Sequence, residues 1–420
     1  MKILIYSSNS NTFDGKNFHY YNYPTIASFW GKYKNHNFIF IGSLPSPFLF
    51  DLENNKISNK ASNVEYVVKN ADAELILSYN PDLVIAASFW VTPFDWLAIK
   101  DAQIGQELKK LRPDLKIYCH PLKTCQLAFD KNQTRLFFEH YNFNHAKGIY
   151  VHHELYWAQR NHQEIEENFY KDAILYQIKE LKLPLIIKDT CGLSSYGMEV
   201  CKTYNEVIGF LNSKKNKGDK LVEEFIPGLQ FGTEIHGNKE LGYKIFDPFI
   251  FSVNQYGITS PKQSIKMGPV NNSKYKIQNL KAELLRMANL LDFNGVAQVD
   301  LVFNLQEEKW YFIEINPRLS GMTQIILESK DNKKYCALKL PLLKKDEIEM
   351  VKTFDFVYHI SQVENIAAKQ KREEGYCEII FGKVDSAKAL ENQLDELKIK
   401  IPHLIDEGFY SQAKKMLNLL

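Results

Sequence analysis

The sequence predicts an α/β fold in the first third of the chain and a mixed α+β fold after it. Short apolar runs, such as KILIYS and PDLVIAAS, alternate with helical patterns over the first 120 residues. Strands that alternate with helices form βαβ units on a parallel sheet. Further on, FNGVAQVDLVFNLQEEKWYFIEINPRLSG contains two apolar strands joined by a polar turn, which indicates an antiparallel hairpin. We therefore expect three regions, residues 1–120, 121–330 and 331–420.

The elements of the first region follow from its apolar runs. KILIYS, NFIFIGS, PDLVIAAS and LKIYCHP predict strands, and IGQELKKLRPD predicts a helix. Two more helices are expected after Pro24 and near Val64 to Leu77. No G-x-G-x-x-G follows the first strand, so the sequence does not indicate a dinucleotide site.

The second and third regions mix helices with strands. A helical region from about Thr124 to His153 precedes a polar helix from about Gln163 to Leu181. LPLIIKDTCGLSSYGMEV predicts strand, loop and strand, and KLVEEFIPGLQFGTEIHG predicts strand, turn and strand. In the last region, DFVYHIS and YCEIIFG predict strands before a pair of C-terminal helices.

Composition excludes several classes of function. The 52 Lys and Arg against 50 Asp and Glu leave a net charge of +2, which gives no basic surface for nucleic acid. The most apolar stretch contains Pro93 and Asp95 and is too short to span a bilayer, so we expect a cytoplasmic protein. Six cysteines without a C-x-x-C pair, including Cys119 and Cys125 beside His120, match neither a disulfide framework nor a common zinc pattern.

The hairpin carries a candidate metal site. If Asp300 lies opposite Glu314, then Gln298 lies opposite Asn316, and all four side chains share one face. Two carboxylates directly across an antiparallel pair repel each other unless a cation lies between them. Ligands that are all oxygen atoms suit a hard ion such as Mg²⁺, which commonly binds substrate phosphates as well. The alternative is a solvated outer face of a two-stranded ribbon.

Two further segments have side chains that suit the binding of a nucleotide. Lys188 ends the strand LPLIIK, and the loop after it contains Gly192, Gly197 and two serines, which suits phosphate groups. LVEEFIPG offers Glu223, Glu224 and an apolar pair to a purine. Each segment also has a simpler interpretation, a hairpin turn and an edge strand respectively.

Taken in order, FDK, LIIKDTCGLSSYGM, VEEFIPG, GVAQVDLVF and FIEINPR resemble the ATP-grasp superfamily, which includes biotin carboxylase, carbamoyl phosphate synthetase and D-alanine–D-alanine ligase. The resemblance covers roughly residues 120 to 325. It implies an ATP-grasp domain in residues 121–330, a Rossmann-like α/β domain before it in residues 1–120, and an additional mixed region in residues 331–420. The serine-rich loop departs from the glycine-rich loop of biotin carboxylase.

The resemblance also implies roles for single residues. Asp300, Glu314 and Asn316 would hold Mg²⁺, with Mn²⁺ as an alternative, and the catalytic residues would be Arg318 and Lys262. Gln230 stands where many members carry a glutamate for the ribose. The residues implied to bind ATP are Lys131, Lys188, Gly192, Ser194, Ser195, Gly197, Glu223, Glu224, Phe225, Ile226 and Gln230.

The activity implied is an ATP-dependent carboxylate-amine ligase that works through an acyl phosphate and releases ADP and phosphate. Its partners would be a small-molecule carboxylate and an amine, without nucleic acid or membrane, and a homodimer is an option because family members are often dimers. The alternatives are a carboxylase or carbamoyl-type enzyme, a kinase, and a nucleotide-binding protein without catalysis.

Overall fold

The computed structural model describes residues 1–8, 15–22, 25–44, 50–53, 56–89, 94–192, 198–260, 263–328, 332–366 and 374–420. Residues 1–120 contain eight strands and three helices among the described residues. They are β1 (Lys2–Tyr6), β2 (Gly15–Asn22), α1 (Ile26–Trp30), β3 (Asn37–Ile41), β4 (Leu52–Glu53), β5 (Lys56–Ile57), β6 (Val64–Val67), α2 (Ala73–Ser78), β7 (Leu83–Ala86), α3 (Leu97–Leu111) and β8 (Lys116–Tyr118).

Five of these strands form the parallel sheet that the sequence predicts, in the order β6-β3-β1-β7-β8. Apolar residues cover both faces of this sheet, as expected where crossover helices pack on it. The helix expected near Val64 to Leu77 is wrong in its first half, since Val64–Val67 is the edge strand β6. Valine and tyrosine favour a strand there, and the helix begins only after Asp72, whose side chain accepts a hydrogen bond from the Leu75 amide.

The second region begins with helices and a small antiparallel sheet. The sheet has the order β11-β10-β12-β9, and helices cover it with a core of its own. The elements are α4 (Leu122–Phe129), α5 (Lys131–His140), β9 (Gly148–Val151), α6 (His153–Tyr156), α7 (Ala158–Asn161), α8 (Phe169–Lys179), β10 (Leu185–Asp189), β11 (Glu199–Cys201), α9 (Tyr204–Leu211) and β12 (Lys220–Glu224).

The rest of the chain builds a large sheet in the order β18-β17-β13-β15-β16-β19-β21-β20-β2, with β14 paired to β13. Its elements in residues 225–330 are β13 (Leu229–Asn238), β14 (Gly242–Ile245), β15 (Phe249–Phe251), β16 (Ser264–Gly268), α10 (Ile277–Leu290), β17 (Gly295–Asn304), β18 (Lys309–Asn316) and α11 (Thr323–Glu328). The later elements are β19 (Lys334–Pro341), α12 (Lys345–Val351), β20 (Val357–Ile366), β21 (Glu374–Val384), α13 (Ala387–Lys400) and α14 (Glu407–Leu417).

The two faces of the large sheet differ. One face packs against α10, α13 and α14 and forms the largest hydrophobic core. The other carries Gly232, Asp300, Lys266, Lys339 and Glu378, and the short α11 packs on part of it. Because alternate residues of a strand point to opposite faces, the same strands contribute apolar side chains to the core and polar side chains to the other face.

The sheet crosses the boundary expected at residue 330. Strands β19, β21 and β20 extend the sheet that begins with β13, and β2 of the first region pairs with β20 at the far edge. The last region is the mixture of strands and helices that the sequence predicts, and the two C-terminal helices are α13 and α14. Its strands pair with those of the second region, so the two regions share one sheet.

In the ranges that the structure describes, no helix has both the length and the apolar character that crossing a bilayer requires.

Candidate functional site

The hairpin pairs in the register that the sequence predicts. Asp300 lies opposite Glu314 and Gln298 lies opposite Asn316, and a β-bulge follows between Asp300 and Leu301. Gln298 donates a hydrogen bond of 2.8 Å from Nε2 to Asp300 Oδ1. The two carboxylates therefore face the same side of the sheet, next to the amide of a buried asparagine.

The two carboxyl groups differ in their protonation. Burial raises the pKa of Asp300 to about 7, the Glu314 charge adds to that effect, and Arg318 and Lys266 oppose it. Burial also acts to raise the pKa of Glu314, but the charge of Lys131 outweighs it, and the pKa lies below its ordinary value. Glu314 is therefore an anion at neutral pH, and its charge penalises ionisation of Asp300 across the hairpin.

Lys131 is the cation nearest to this acidic pair. Its Nζ lies 3.0 Å from Glu314 Oε1 and donates a hydrogen bond of 2.8 Å to the Gly192 carbonyl oxygen. The backbone holds it in place, because the Asp130 side chain caps α5 and the Lys131 amide donates to Thr190 O at 2.8 Å. One side chain thus joins the hairpin to the start of the glycine loop.

Lys188 forms a second ion pair inside the small sheet. Its Nζ lies 2.5 Å from Glu223 Oε2, and the two side chains are 10% and 11% exposed. The strands bring them together, because β10 and β12 pair with Ile186 opposite Glu223. The lysine predicted to bind phosphate therefore contacts a glutamate predicted to bind adenine.

The other residues predicted to bind the adenosine part of ATP make separate contacts. Glu224 Oε1 accepts a hydrogen bond of 3.0 Å from the Lys182 amide, so it does not share the Lys188 contact of Glu223. The Phe225 amide donates to Pro184 O at 3.0 Å, and its ring packs edge-on against Tyr256. Ile226 follows on the loop that leads to β13. Gln230 lies on β13, with its side-chain amide against Gly257.

Four of the predicted residues lie outside the described part of the chain. They are Ser194, Ser195, Gly197 and Lys262.

Arg318 joins the hairpin to the first region. Its Nε and Nη2 lie 2.6 Å and 2.5 Å from Asp95 Oδ2, and its Nη2 donates at 3.2 Å to Asn316 Oδ1. Burial acts to lower the pKa of Arg318, but Asp95 outweighs it and the pKa is raised. The arginine thus stays charged between the hairpin and the first region.

Sequence reasoning missed two residues of this site. Asp95 lies more than two hundred positions from Arg318, and no local pattern marks it. Lys266 lies on β16, and its Nζ is 5.5 Å from the centre of the Phe251 ring. Alternation of polar and apolar residues in SIKMG is the signal for Lys266, because it places Ser264 and Lys266 on one face.

The oxygen groups of the hairpin suit a hard cation. Two carboxylates and an amide oxygen share one face, and the cost of placing two acids opposite each other is relieved by a cation. Across the ranges that the structure describes, no group of three or more His, Cys, Asp or Glu side chains is arranged to hold a metal ion. The hairpin, with two acids and one amide, is a smaller donor set that needs further ligands from a substrate or water.

The amino-acid sequence of this chain is similar to those of known ligases. Residues 147–334 match the family described as D-ala D-ala ligase C-terminus. The chain is similar to D-alanine–D-alanine ligase B of Clostridium tetani, with 26% identity over 50% of this chain and 58% of that protein. It is also similar to D-alanine–D-alanine ligase of Pelagibacter ubique, with 29% identity over 36% of this chain and 48% of that protein. The chain thus spans about half the length of the curated relatives it matches.

Solved structures extend the likeness to the whole chain. The L-amino acid ligase from Bacillus licheniformis has a TM-score of 0.62 at 15% identity and covers 95% of this chain, with 97% of its own length matched. N5-carboxyaminoimidazole ribonucleotide synthetase from Thermus thermophilus has a TM-score of 0.60 at 16% identity, covering 97% of this chain and 99% of its own. This chain has the ATP-grasp fold. In it, the family match contains Lys188, Glu223 and the acidic hairpin, while Lys131 and Asp95 lie before its first residue.

Proposed function

We propose that this ATP-grasp protein is a ligase that joins a small-molecule carboxylate to an amine and converts ATP to ADP and phosphate. The observation that carries the proposal is the convergence of Lys131 and Arg318 on the acidic hairpin, where their charges act on Glu314. Phosphoryl transfer needs positioned cations and a metal more than it needs covalent chemistry by the protein.

Lys131 and Lys188 would bind the phosphates of ATP, and Glu223 to Ile226 would line the adenine. Both lysines hold glutamates in this structure, so nucleotide binding would exchange one anionic partner for another. Such an exchange keeps each ammonium paired and avoids leaving a buried charge alone.

Asp300, Glu314 and Asn316 would hold Mg²⁺, or Mn²⁺, which when bound would neutralise phosphate charge. Each of these three side chains is held in place by a neighbour. Gln298 contacts Asp300, Lys131 contacts Glu314, and Arg318 contacts Asn316. The ligands are therefore oriented before any ion arrives, which reduces the cost of binding one.

In the proposed reaction, a carboxylate oxygen of the first substrate attacks the γ-phosphorus of ATP. The bond from that phosphorus to the β-γ bridging oxygen breaks, giving an acyl phosphate and ADP. The amine nitrogen then attacks the acyl carbon, phosphate leaves, and the nitrogen loses a proton. Arg318 would stabilise the negative oxygen that develops on the acyl group, and no serine or cysteine nucleophile is required.

The names of the relatives guide the choice of substrate class. D-alanine–D-alanine ligase and L-amino acid ligase both name amino acids, and we extend that class to this chain. The six cysteines are free thiols, which fits the reducing cytoplasm where we place the reaction. A homodimer stays a prediction that sedimentation would test.

The proposal is tested by measuring ADP release from the purified protein with Mg-ATP and a panel of amino acids and other small carboxylates, each with and without amines. ADP release that requires one carboxylate and one amine supports the ligase. ADP release without an amine would replace it with a kinase, and dependence on bicarbonate would replace it with a carboxylase. A variant with a changed surface acid, Glu349→Ala, serves as a control for preparation effects.

A further inference from the structure

A second group of charged side chains lies on the same face of the large sheet as Asp300 and Glu314 of the acidic hairpin. Lys266 on β16, Lys339 on β19 and Glu378 on β21 follow one another across adjacent strands, and we call these three residues the charged row. In the register, Lys339 is directly opposite Glu378, while Lys266 lies one step along the same face, opposite Ala337. Residues paired in an antiparallel ladder point to the same side.

The charges of this row are not paired with one another. A lysine and a glutamate directly across two strands ordinarily attract each other. Here the Lys339 ammonium lies 3.9 Å over the ring of Tyr376 instead. Within the described ranges, neither Lys266 nor Lys339 makes an ion pair within 4.0 Å. The row therefore holds two amino groups and one carboxyl group that form no ion pair with one another.

Among the described residues, the titratable side chain within 4.0 Å of the Glu378 carboxylate is an imidazole, which does not neutralise it. His359 Nε2 lies 3.8 Å from Glu378 Oε1, beyond hydrogen-bond distance, and is 2.9 Å from Ser361 Oγ. Burial lowers the pKa of His359 to about 3, so this imidazole is neutral. The Glu378 side chain is 25% exposed and accepts no hydrogen bond from the described residues, which leaves its oxygens available to a ligand.

The row adjoins the reacting centre through Lys266. Its ammonium lies over the Phe251 ring, which fills the space above Gly232, and Gly232 is paired with Asp300. A Cβ built on Gly321, in the loop after Arg318, would lie 3.8 Å from Lys266 Nζ. The end of the row that carries Lys266 thus faces the metal site, and the end that carries Glu378 faces away.

We infer that the charged row binds an α-amino acid that is the acyl-donating substrate. Its carboxylate would lie between Lys266 and Lys339, next to the metal site, and its ammonium group would contact Glu378. Neighbouring strands are about 4.8 Å apart, which suits the short separation of the two charges in an α-amino acid. The acyl-donating role of this amino acid rests on the proposed function, whereas its binding is measured without turnover.

The carboxyl group of Glu378 gives the sharpest test. Calorimetry would measure the binding of each common L-amino acid, and of the carboxylic acid that lacks its amino group, to the full chain saturated with Mg-ADP. The wild type should bind at least one amino acid about tenfold more tightly than its desamino analogue, because a hydrogen bond between charged groups contributes about that much. Glu378→Gln should remove this preference and leave the affinity for the desamino acid unchanged.

The lysines give the complementary result. Lys339→Gln should weaken the amino acid and its desamino analogue equally, by about tenfold, because both keep the carboxylate. Glu349→Gln and Lys352→Gln, which alter an exposed ion pair elsewhere on the chain, are matched controls and should bind as the wild type does. Melting temperatures of all variants would separate lost binding from lost folding.

The outcomes distinguish this inference from the proposed function. If no amino acid binds the wild type, or if Glu378→Gln keeps the preference for the amino group, the inference is overturned even where a desamino acid supports ADP release. If the amino acid binds and Glu378→Gln loses the preference while no ADP is released with any amine, the binding site stands and the ligase does not.

Discussion

The side of the molecule that we propose binds the nucleotide and the side that we propose binds the substrate differ in how their charged groups are paired. On the nucleotide side each cation holds an acid, with distances of 3.0 Å for Lys131 to Glu314 and 2.5 Å for Lys188 to Glu223. In the charged row, Lys339 and Glu378 are paired in register but make no ion pair. Side chains that already form an ion pair must exchange partners when a charged ligand binds. Charged side chains that form no ion pair can each contact a ligand group of opposite charge without such an exchange.

The largest effect is expected at the acidic hairpin that we propose holds the metal. Glu314→Gln keeps an oxygen for Lys131 but removes one of two carboxylates, so Mg²⁺-dependent ADP release should fall by at least about 100-fold. Glutamine is preferred to alanine because truncation would leave the Lys131 charge without its partner. Wild-type turnover in this variant, measured by ADP release across a Mg²⁺ titration, would exclude Glu314 as a ligand.

A loss of similar size is expected at the boundary between the two sides. Arg318→Ala should lower turnover by about 100-fold to 1000-fold, as removal of an oxyanion donor does in other enzymes, while Mg-ATP affinity changes little. The measurement is kcat for ADP release beside the Kd for Mg-ATP from calorimetry. A collapse of ATP binding would instead assign Arg318 to the nucleotide. Asp95→Asn is the companion variant, since it loosens Arg318 without removing it.

A smaller effect is expected at Lys188, which tests whether a lysine exchanges its glutamate partner for a phosphate group of ATP. Lys188→Met should weaken Mg-ATP binding by about 10-fold to 100-fold and also destabilise the fold, because it leaves Glu223 unpaired at 11% exposure. The double variant Lys188→Met with Glu223→Gln removes both charges. It should recover the melting temperature but not the affinity for ATP. Recovery of ATP affinity would show that Lys188 serves only to neutralise Glu223.

The smallest effect concerns a third arrangement, a buried acid that accepts hydrogen bonds from neutral groups. Asp101 is 5% exposed, and its carboxylate accepts hydrogen bonds from the Ser8 amide and hydroxyl. Burial raises its pKa to about 6, above the value of about 3.9 in an unfolded chain. Its contribution to stability is therefore full below about pH 4 and is lost as the pH rises through about 6.

Asp101→Asn isolates that contribution. Relative to the wild type, the variant should gain stability as the pH rises from about 4 to about 6, by about 1–3 kcal/mol, and the gain should stay constant above that range. The difference in melting temperature between the two proteins across this pH range measures it. A difference that does not change with pH would mean that Asp101 titrates normally.

The sequence predicted those parts of the molecule in which local pattern and packing agree. The alternation in FIEINPRLSG fixed the faces of the hairpin, and the register that pairs Asp300 with Glu314 follows from it. The parallel sheet was also predictable, because its strands are short apolar runs between helices. Val64 to Val67 shows the limit, since four residues of a short edge strand precede a helix too closely for periodicity to separate them.

Contacts between distant segments could not be predicted. The pair Asp95 and Arg318 depends on how the first region packs against the hairpin, and no spacing in the sequence encodes it. The charged row depends on the order of β16, β19 and β21 in the sheet, which includes neighbours that are not consecutive in the chain. Until that order is known, Lys339 and Glu378 are a lysine and a glutamate on unrelated strands.

The pairing of β2 with β20 has a consequence for synthesis of the protein. β2 is synthesised more than three hundred residues before its partner strand, which ends at Ile366. Until β20 is made, β2 lacks this partner strand, and an unpaired strand is a template for association with other chains. The large sheet is therefore completed only after β20 has been synthesised, later than the strands of the parallel sheet, which all lie before residue 120.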